Sequence, residues 1–199
     1  KQDDINALMI KLARQGKHVV RLKSGDPMIF GRAGEEIAQL ELAGIPVDVV
    51  PGITAALAMA ANFGASLTHR DYAHSLRFVT GHSRDGELPA NLDWRGLADP
   101  QTTTMFYMGG RTSSAIAQRL MGEGLSPGTP VAVVSAMSRR EEARWFGTLA
   151  QLGAAQADID LTQPVLIGVG RALAAAKASR HLNPPHADQA HLAARRQGN

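Results

Sequence analysis

The sequence predicts a two-lobed α/β fold, and three observations carry that expectation. Strand and helix patterns alternate through the first 65 residues, as in sheets covered by helices. From residue 76 on, short apolar strands dominate, and two of them are joined by a charged link that suits a hairpin. Hydrophobic residues make up 44% of the 199 positions, enough to bury a core in a chain of this length.

The elements follow in order. Asp3 or Asp4 is placed to cap a first helix whose apolar positions Ile5, Leu8, Met9 and Leu12 keep the helical period up to Gly16. Val19, Val20 and Leu22 read as a strand leading into the turn Ser24-Gly25-Asp26-Pro27, and Gly34 to Ala43 as a helix closed by Gly44. Val47 to Val50 predicts a second short strand, stopped by Pro51-Gly52, before an Ala-rich helix from Ile53 to Asn62.

Five strands are expected after that: Leu76 to Thr80, Thr103 to Met108, Val131 to Val134, Ala143 to Thr148 and Val165 to Val169, with a helix near Ser113 to Met121. The link after Val134 makes part of this half antiparallel, so the second lobe is expected to hold a mixed sheet. These patterns divide the chain into an N-terminal lobe at 1–80, a C-terminal lobe at 81–171 and a tail at 172–199. That tail, rich in Ala, His and Pro, is expected to lack order.

Charge and composition exclude several functions. The chain carries a net charge of +3, all of it placed after residue 171, where four basic residues face only Asp188. Residues 1–171 hold 17 basic and 17 acidic groups, so the body offers no basic stripe for nucleic-acid phosphates. No cysteine is present, which removes disulfides, thiolate ligands and cysteine nucleophiles and suits a cytoplasmic setting. No apolar run approaches the roughly 20 residues that span a bilayer. His69, His74 and His82 lack metal-ligand spacing, and no GxSxG elbow or GxGxxG loop occurs.

Several short stretches bear on chemistry. In Ser24-Gly25-Asp26 a glycine at a strand end lets backbone approach a ligand closely, while an Asp orients the loop; the same turn also serves as a plain strand-to-helix connection. Arg32 precedes Glu35 by three residues, a spacing that fits either a surface ion pair or a shared cleft. Met108 after an apolar strand is a core filler or a soft contact to a ligand. Arg70 is able to pair with Asp71 or to receive an anion.

In order and spacing, VVRLKSGDPMIFGRAGEE, VVPGITAALA, LTHRDYAHS with FVTGH, and FYMGG resemble the tetrapyrrole methylase family, and within it the uroporphyrinogen-III C-methyltransferases. The resemblance implies two α/β lobes, usually in a homodimer, with S-adenosylmethionine folded between them and S-adenosylhomocysteine as product. It also implies two methyl transfers to uroporphyrinogen III, at carbons 2 and 7, giving precorrin-2 on the siroheme, cobalamin and heme d1 branch.

Carried over residue by residue, Ser24, Gly25, Asp26, Ile29, Thr54, Ala55, Met108 and Met137 bind the cofactor. Arg32, Arg70 and Met108 meet the substrate, whose eight carboxylates call for arginines, and Arg32 with Glu35 serves catalysis, Glu35 as the base. Ser24 stands where the family more often has Gly, Met28 where it has Phe, and Ala136-Met137-Ser138 where it has Asn-Gly-Thr or Asn-Ala-Thr. The family begins with a strand, a glycine-rich loop and an acid–base Asp ahead of the helix that opens this sequence. The 199 residues alone are therefore expected to bind cofactor weakly or not at all and to show no measurable methyl transfer. Alternatives are another precorrin methyltransferase, or a remnant that binds without turnover.

Overall fold

A computed structural model describes residues 1–176 except Arg84. The second half forms as the sequence predicts. Strands β1 (Ser75–Thr80), β2 (Thr102–Tyr107), β3 (Pro130–Ser135), β4 (Ala143–Thr148) and β5 (Val165–Val169) make one sheet in the order β1-β2-β5-β3-β4. β1 and β2 are parallel, β5 runs antiparallel to both of its neighbours, and β3–β4 is the antiparallel hairpin expected from its charged link. Strands β1, β2 and β3 therefore point the same way, and their carboxyl ends share one edge.

Helices cover both faces because each inner strand is apolar on both sides. α1 (Gln2–Arg14), α2 (Ala33–Leu42) and α3 (Ala55–Phe63) come first in the chain; α4 (Trp94–Leu97) and α5 (Ser113–Gly122) follow β1 and β2 respectively. One face buries Trp94, Leu97, Ile116 and Leu120 from α4 and α5, with Leu149 and Leu152 from a 3-10 segment over Leu149–Ala157, against Phe106, Val133 and Ile167. The other face buries Ala56, Met59 and Phe63 of α3 against Met105, Val134 and Leu166.

Three expectations need correction. β1 pairs with β2 in the C-terminal sheet, so the junction expected at residue 80 falls ahead of Ser75. Of the tail expected from residue 172, Ala172 and Leu173 are buried in a 3-10 turn, Arg171–Ala175, and the residues from Lys177 on lie outside the described residues. Neither Val19–Leu22 nor Val47–Val50 forms a ladder. A strand exists only against a partner, and these stretches have none among the described residues; they line a groove of about 1030 Å³. The absence leaves apolar side chains in solvent, with Leu22 and Val50 each 81% exposed.

A buried carboxylate organises this N-terminal part. Glu36, 3% exposed on α2, accepts from Gln2 Nε2 of α1 at 2.8 Å and from Arg21 Nε at 3.3 Å, and lies 2.9 Å from Lys23 Nζ. Burial pushes the carboxyl toward protonation, but the hydrogen bonds from Lys23 and Gln2 and the two cations outweigh it, holding Glu36 below the usual carboxylate range. Lys23 also donates to the Gly31 carbonyl at 2.6 Å, closing the loop between them.

Glu36→Ala leaves the Lys23 charge uncompensated and should cost about 3–5 kcal/mol in urea unfolding at neutral pH. The folded carboxyl titrates below its unfolded value, so its contribution is present above about pH 4.3 and fades as pH falls through the folded value. The gap between wild type and variant should close on acidification.

Candidate functional site: a cleft at the carboxyl edge of the sheet

Four motif segments meet at the edge where β1, β2 and β3 end. The first is the loop after Lys23. Asp26 accepts from Met28 N at 2.8 Å through one oxygen and from Gly52 N at 3.0 Å through the other, tying this loop to the Pro51-Gly52 turn. The two backbones approach so closely that a Cβ on Gly52 would stand 2.1 Å from the Gly25 carbonyl oxygen. Gly25 has φ +74, and a Cβ there would meet only Ile53 O and Thr54 Cα, both at 3.8 Å. Its backbone therefore remains approachable, which is what a ligand held by main-chain groups requires.

Thr54 precedes α3 but does not cap it with its own side chain. The Tyr107 hydroxyl at the end of β2 takes over: it accepts from Ala56 N at 3.2 Å and shares a 2.6 Å hydrogen bond with Thr54 Oγ1. The Tyr107 ring also packs on Phe30, 4.8 Å between centroids, and on Phe78 at 5.7 Å. Loop, helix start and strand end are thereby joined through one side chain.

Met108 follows with φ 60, and its N–H donates to Val165 O at the start of β5. On the other side of β5, Ala136 N donates to Pro164 O, which brings the Ala136-Met137-Ser138 turn to the same edge. Phe30, Arg32, Met108, Ala136 and Ser138 are the non-glycine residues with positive φ among those described, and all five sit in these segments. Such conformations cost energy and persist where the surroundings enforce them; they concentrate at ligand sites.

Asp26 bonds Gly52, Gly25 lies beside Thr54, and Thr54 bonds Tyr107, the residue before Met108; Ala55 follows Thr54, Ser24 and Ile29 share the first loop, and Met137 lies on the turn across β5. The arginines and Glu35 divide differently. Arg32 donates to both oxygens of Glu35, at 2.9 and 2.6 Å, in a pair more than half exposed on each side. That bond raises the guanidinium's already high pKa. Arg32 follows Phe30, whose ring packs on Tyr107, by two residues.

Arg70 is not brought there. Its carbonyl receives His74 Nε2 at 2.6 Å in the loop entering the amino end of β1, and His74 N donates to Gln101 O ahead of β2. The length of a six-residue strand, roughly 17–20 Å, separates that end from Met108. A motif's place in sequence does not reveal which end of a strand it adjoins.

Sequence reasoning passed over Tyr107. A phenol ending the run TTTMFY needs a partner for its hydroxyl, and that was a usable signal. Among the described residues no group of three or more acidic or His side chains could hold a metal, and no helix is long and apolar enough to cross a membrane.

A mixed sheet with loops converging at the carboxyl ends of its parallel-pointing strands, two of them carrying backbone in left-handed conformations, defines an α/β protein with a candidate site at the sheet edge. Comparison with known proteins narrows the class. The sequence profile of the tetrapyrrole (corrin/porphyrin) methylases matches residues 1–153, and the chain belongs to that family.

The siroheme synthase of Chromobacterium violaceum is 49% identical over 169 residues, 85% of this chain and 36% of that protein. The siroheme synthase of Pseudomonas putida strain W619 is 50% identical over the same length and share. The chain spans about a third of the length of these relatives. Uroporphyrin-III C-methyl transferase from Thermus thermophilus, solved with S-adenyl homocysteine, superposes with a TM-score of 0.74 at 36% identity, over 87% of this chain and 74% of that one. A cobalt precorrin-4 methyltransferase gives 0.76 at 26% identity, over 86% and 71%.

Tyr107→Phe should leave Thr54 Oγ1 and Ala56 N without their partner and cost about 1–3 kcal/mol. Hydrogen exchange should show the loss concentrated at the start of α3; protection there unchanged from wild type would show that the phenol does not hold this helix.

Proposed function

We propose that this chain forms part of a methyltransferase that moves methyl groups from S-adenosylmethionine to uroporphyrinogen III, at carbons 2 and 7, yielding precorrin-2. The observation that supports it most is the run of neighbours from Gly25, beside Thr54, through the Thr54–Tyr107 hydrogen bond to Met108, the next residue in the chain. Greater identity to the Thermus uroporphyrin-III enzyme, 36% against 26% for the precorrin-4 enzyme, favours the earlier tetrapyrrole as substrate.

The residues divide the work. Gly25 and the backbone around Thr54 and Ala55 offer main-chain groups to the cofactor, and the turn at Met137 closes on it from across β5. When bound, the cofactor supplies an electrophilic methyl. Met108, 41% exposed, and Phe30 give an apolar rim for a large ring. Arg32, held in one orientation by Glu35, receives a substrate carboxylate. Glu35 serves here as an orienting partner. The full enzyme is proposed to act as a homodimer.

Supplying uroporphyrinogen III and methyl-labelled cofactor tests the reading. A form extended at its N-terminus by the strand and glycine-rich loop that the family resemblance implies should transfer label to the tetrapyrrole, while residues 1–199 alone should bind S-adenosylhomocysteine weakly. Absence of label from the tetrapyrrole with the extended form would refute the assignment.

In the extended form, Arg32→Ala should weaken tetrapyrrole binding by about 1.5–3 kcal/mol, the value of a charged hydrogen bond, and leave S-adenosylhomocysteine affinity within twofold. Arg70→Ala should alter neither. Calorimetry with each ligand separately distinguishes the cases.

A further inference from the structure

The link between β3 and β4 runs from Ala136 to Glu142 and holds two non-glycine residues in the left-handed region, Ala136 at φ 50 and Ser138 at φ 63. Neither alanine nor serine enters that region readily, whereas the Asn that the family more often has in place of Ala136 does. The link must therefore be held by its neighbours. At its start, Ala136 N donates to Pro164 O at 3.0 Å. At its end a carboxylate completes the hold: Glu142 Oε2 accepts from Ser138 N at 2.8 Å, while Oε1 accepts from Arg144 Nε at 2.6 Å and lies 2.6 Å from Arg144 Nη2.

Arg144 ties this clamp to the core. It faces Val134 in the hairpin register, and its guanidinium lies over the Phe63 ring at the end of α3, 4.9 Å from the centroid. Phe63 in turn packs on Phe146 at 4.9 Å. Only 17% of the Arg144 side chain and 14% of the Glu142 side chain are exposed, and Arg144 Nη1 is buried without a hydrogen-bond partner among the described residues. The ion pair is what balances this buried charge. Gripped on one oxygen, Glu142 presents the other to Ser138 in a fixed position.

Between the two left-handed residues sits Met137. Its side chain packs with the cluster beneath α3, and neither its N–H nor its carbonyl has a hydrogen-bond partner among the described residues. Main-chain groups of a half-buried residue call for partners, and here a ligand in the cleft is free to supply them. We propose that Glu142, oriented by Arg144, is a positioning residue for the cofactor: through Ser138 it holds the link in the conformation in which the Met137 main chain meets S-adenosylmethionine. This assignment rests on the function proposed above.

Two double variants of the N-terminally extended form isolate the bond to Ser138. Both carry Arg144→Met, so neither leaves a buried charge unpaired. With Glu142→Gln the amide oxygen still accepts from Ser138 N; with Glu142→Met nothing does. S-adenosylhomocysteine should bind the Gln variant within threefold of the unsubstituted form and the Met variant about tenfold more weakly. The KM for S-adenosylmethionine should follow the same split, with kcat and the KM for uroporphyrinogen III unchanged within about twofold. In the unsubstituted form the Ser138 amide should exchange its hydrogen slowly although the residue is exposed. Equal affinity of the two double variants overturns the proposal, as does exchange of that amide at the rate of an unbonded one, or a loss that falls on kcat or on the tetrapyrrole KM instead. Failure of the unsubstituted extended form to methylate uroporphyrinogen III takes down the proposed function itself and this inference with it.

Discussion

The Tyr107 hydroxyl is the contact on which the cleft depends. It replaces the missing side-chain cap of α3, fixes Thr54, and carries on its ring the Phe30 end of the loop that begins at Ser24. Without that contact the N-terminal segments would be held to the sheet mainly by apolar packing, in which Met59, Phe63, Ala65 and Leu67 bury well but specify no register. A single polar group at the end of an apolar strand thus converts a helix lying on a sheet into a site with defined geometry.

A second constraint is direction. β1, β2 and β3 point the same way because β5 returns antiparallel between β2 and β3. Their three following turns, at His82, Met108 and Met137, therefore gather at one edge, while the THRDY loop is carried to the opposite end. Positive φ at Met108, Ala136 and Ser138 is sustained there because the surrounding bonds to Val165, Pro164 and Glu142 leave the chain no relaxed alternative.

The second half was legible because each strand is a short apolar run between Gly, Pro or charged breaks, and each finds its partner within the described chain. Ala143–Thr148 and Val165–Val169 lie where the periodicity placed them. The first half was legible in its helices only. Val19–Leu22 and Val47–Val50 have strand composition, yet a strand is a relation between two segments, and no partner faces them here. The adjacent glutamates show the same limit: sequence spacing pointed to Glu35 beside Arg32, whereas packing buried Glu36 and left Glu35 on the surface.

By itself the sequence determined the α/β class, the helices of the first half, the strands of the second with their hairpin, and the set of motif residues, because periodicity and turn chemistry are local. It also carried the family, since those motifs occur in order along most of the chain. Only the tertiary structure decided which motifs meet. Tyr107 reaches Thr54 across 53 positions and His82 reaches Met108 across 26, contacts fixed by strand direction and register, which no local pattern encodes. The same reason separates Arg70 from the cleft: the end of a strand at which a loop emerges is a property of the assembled sheet.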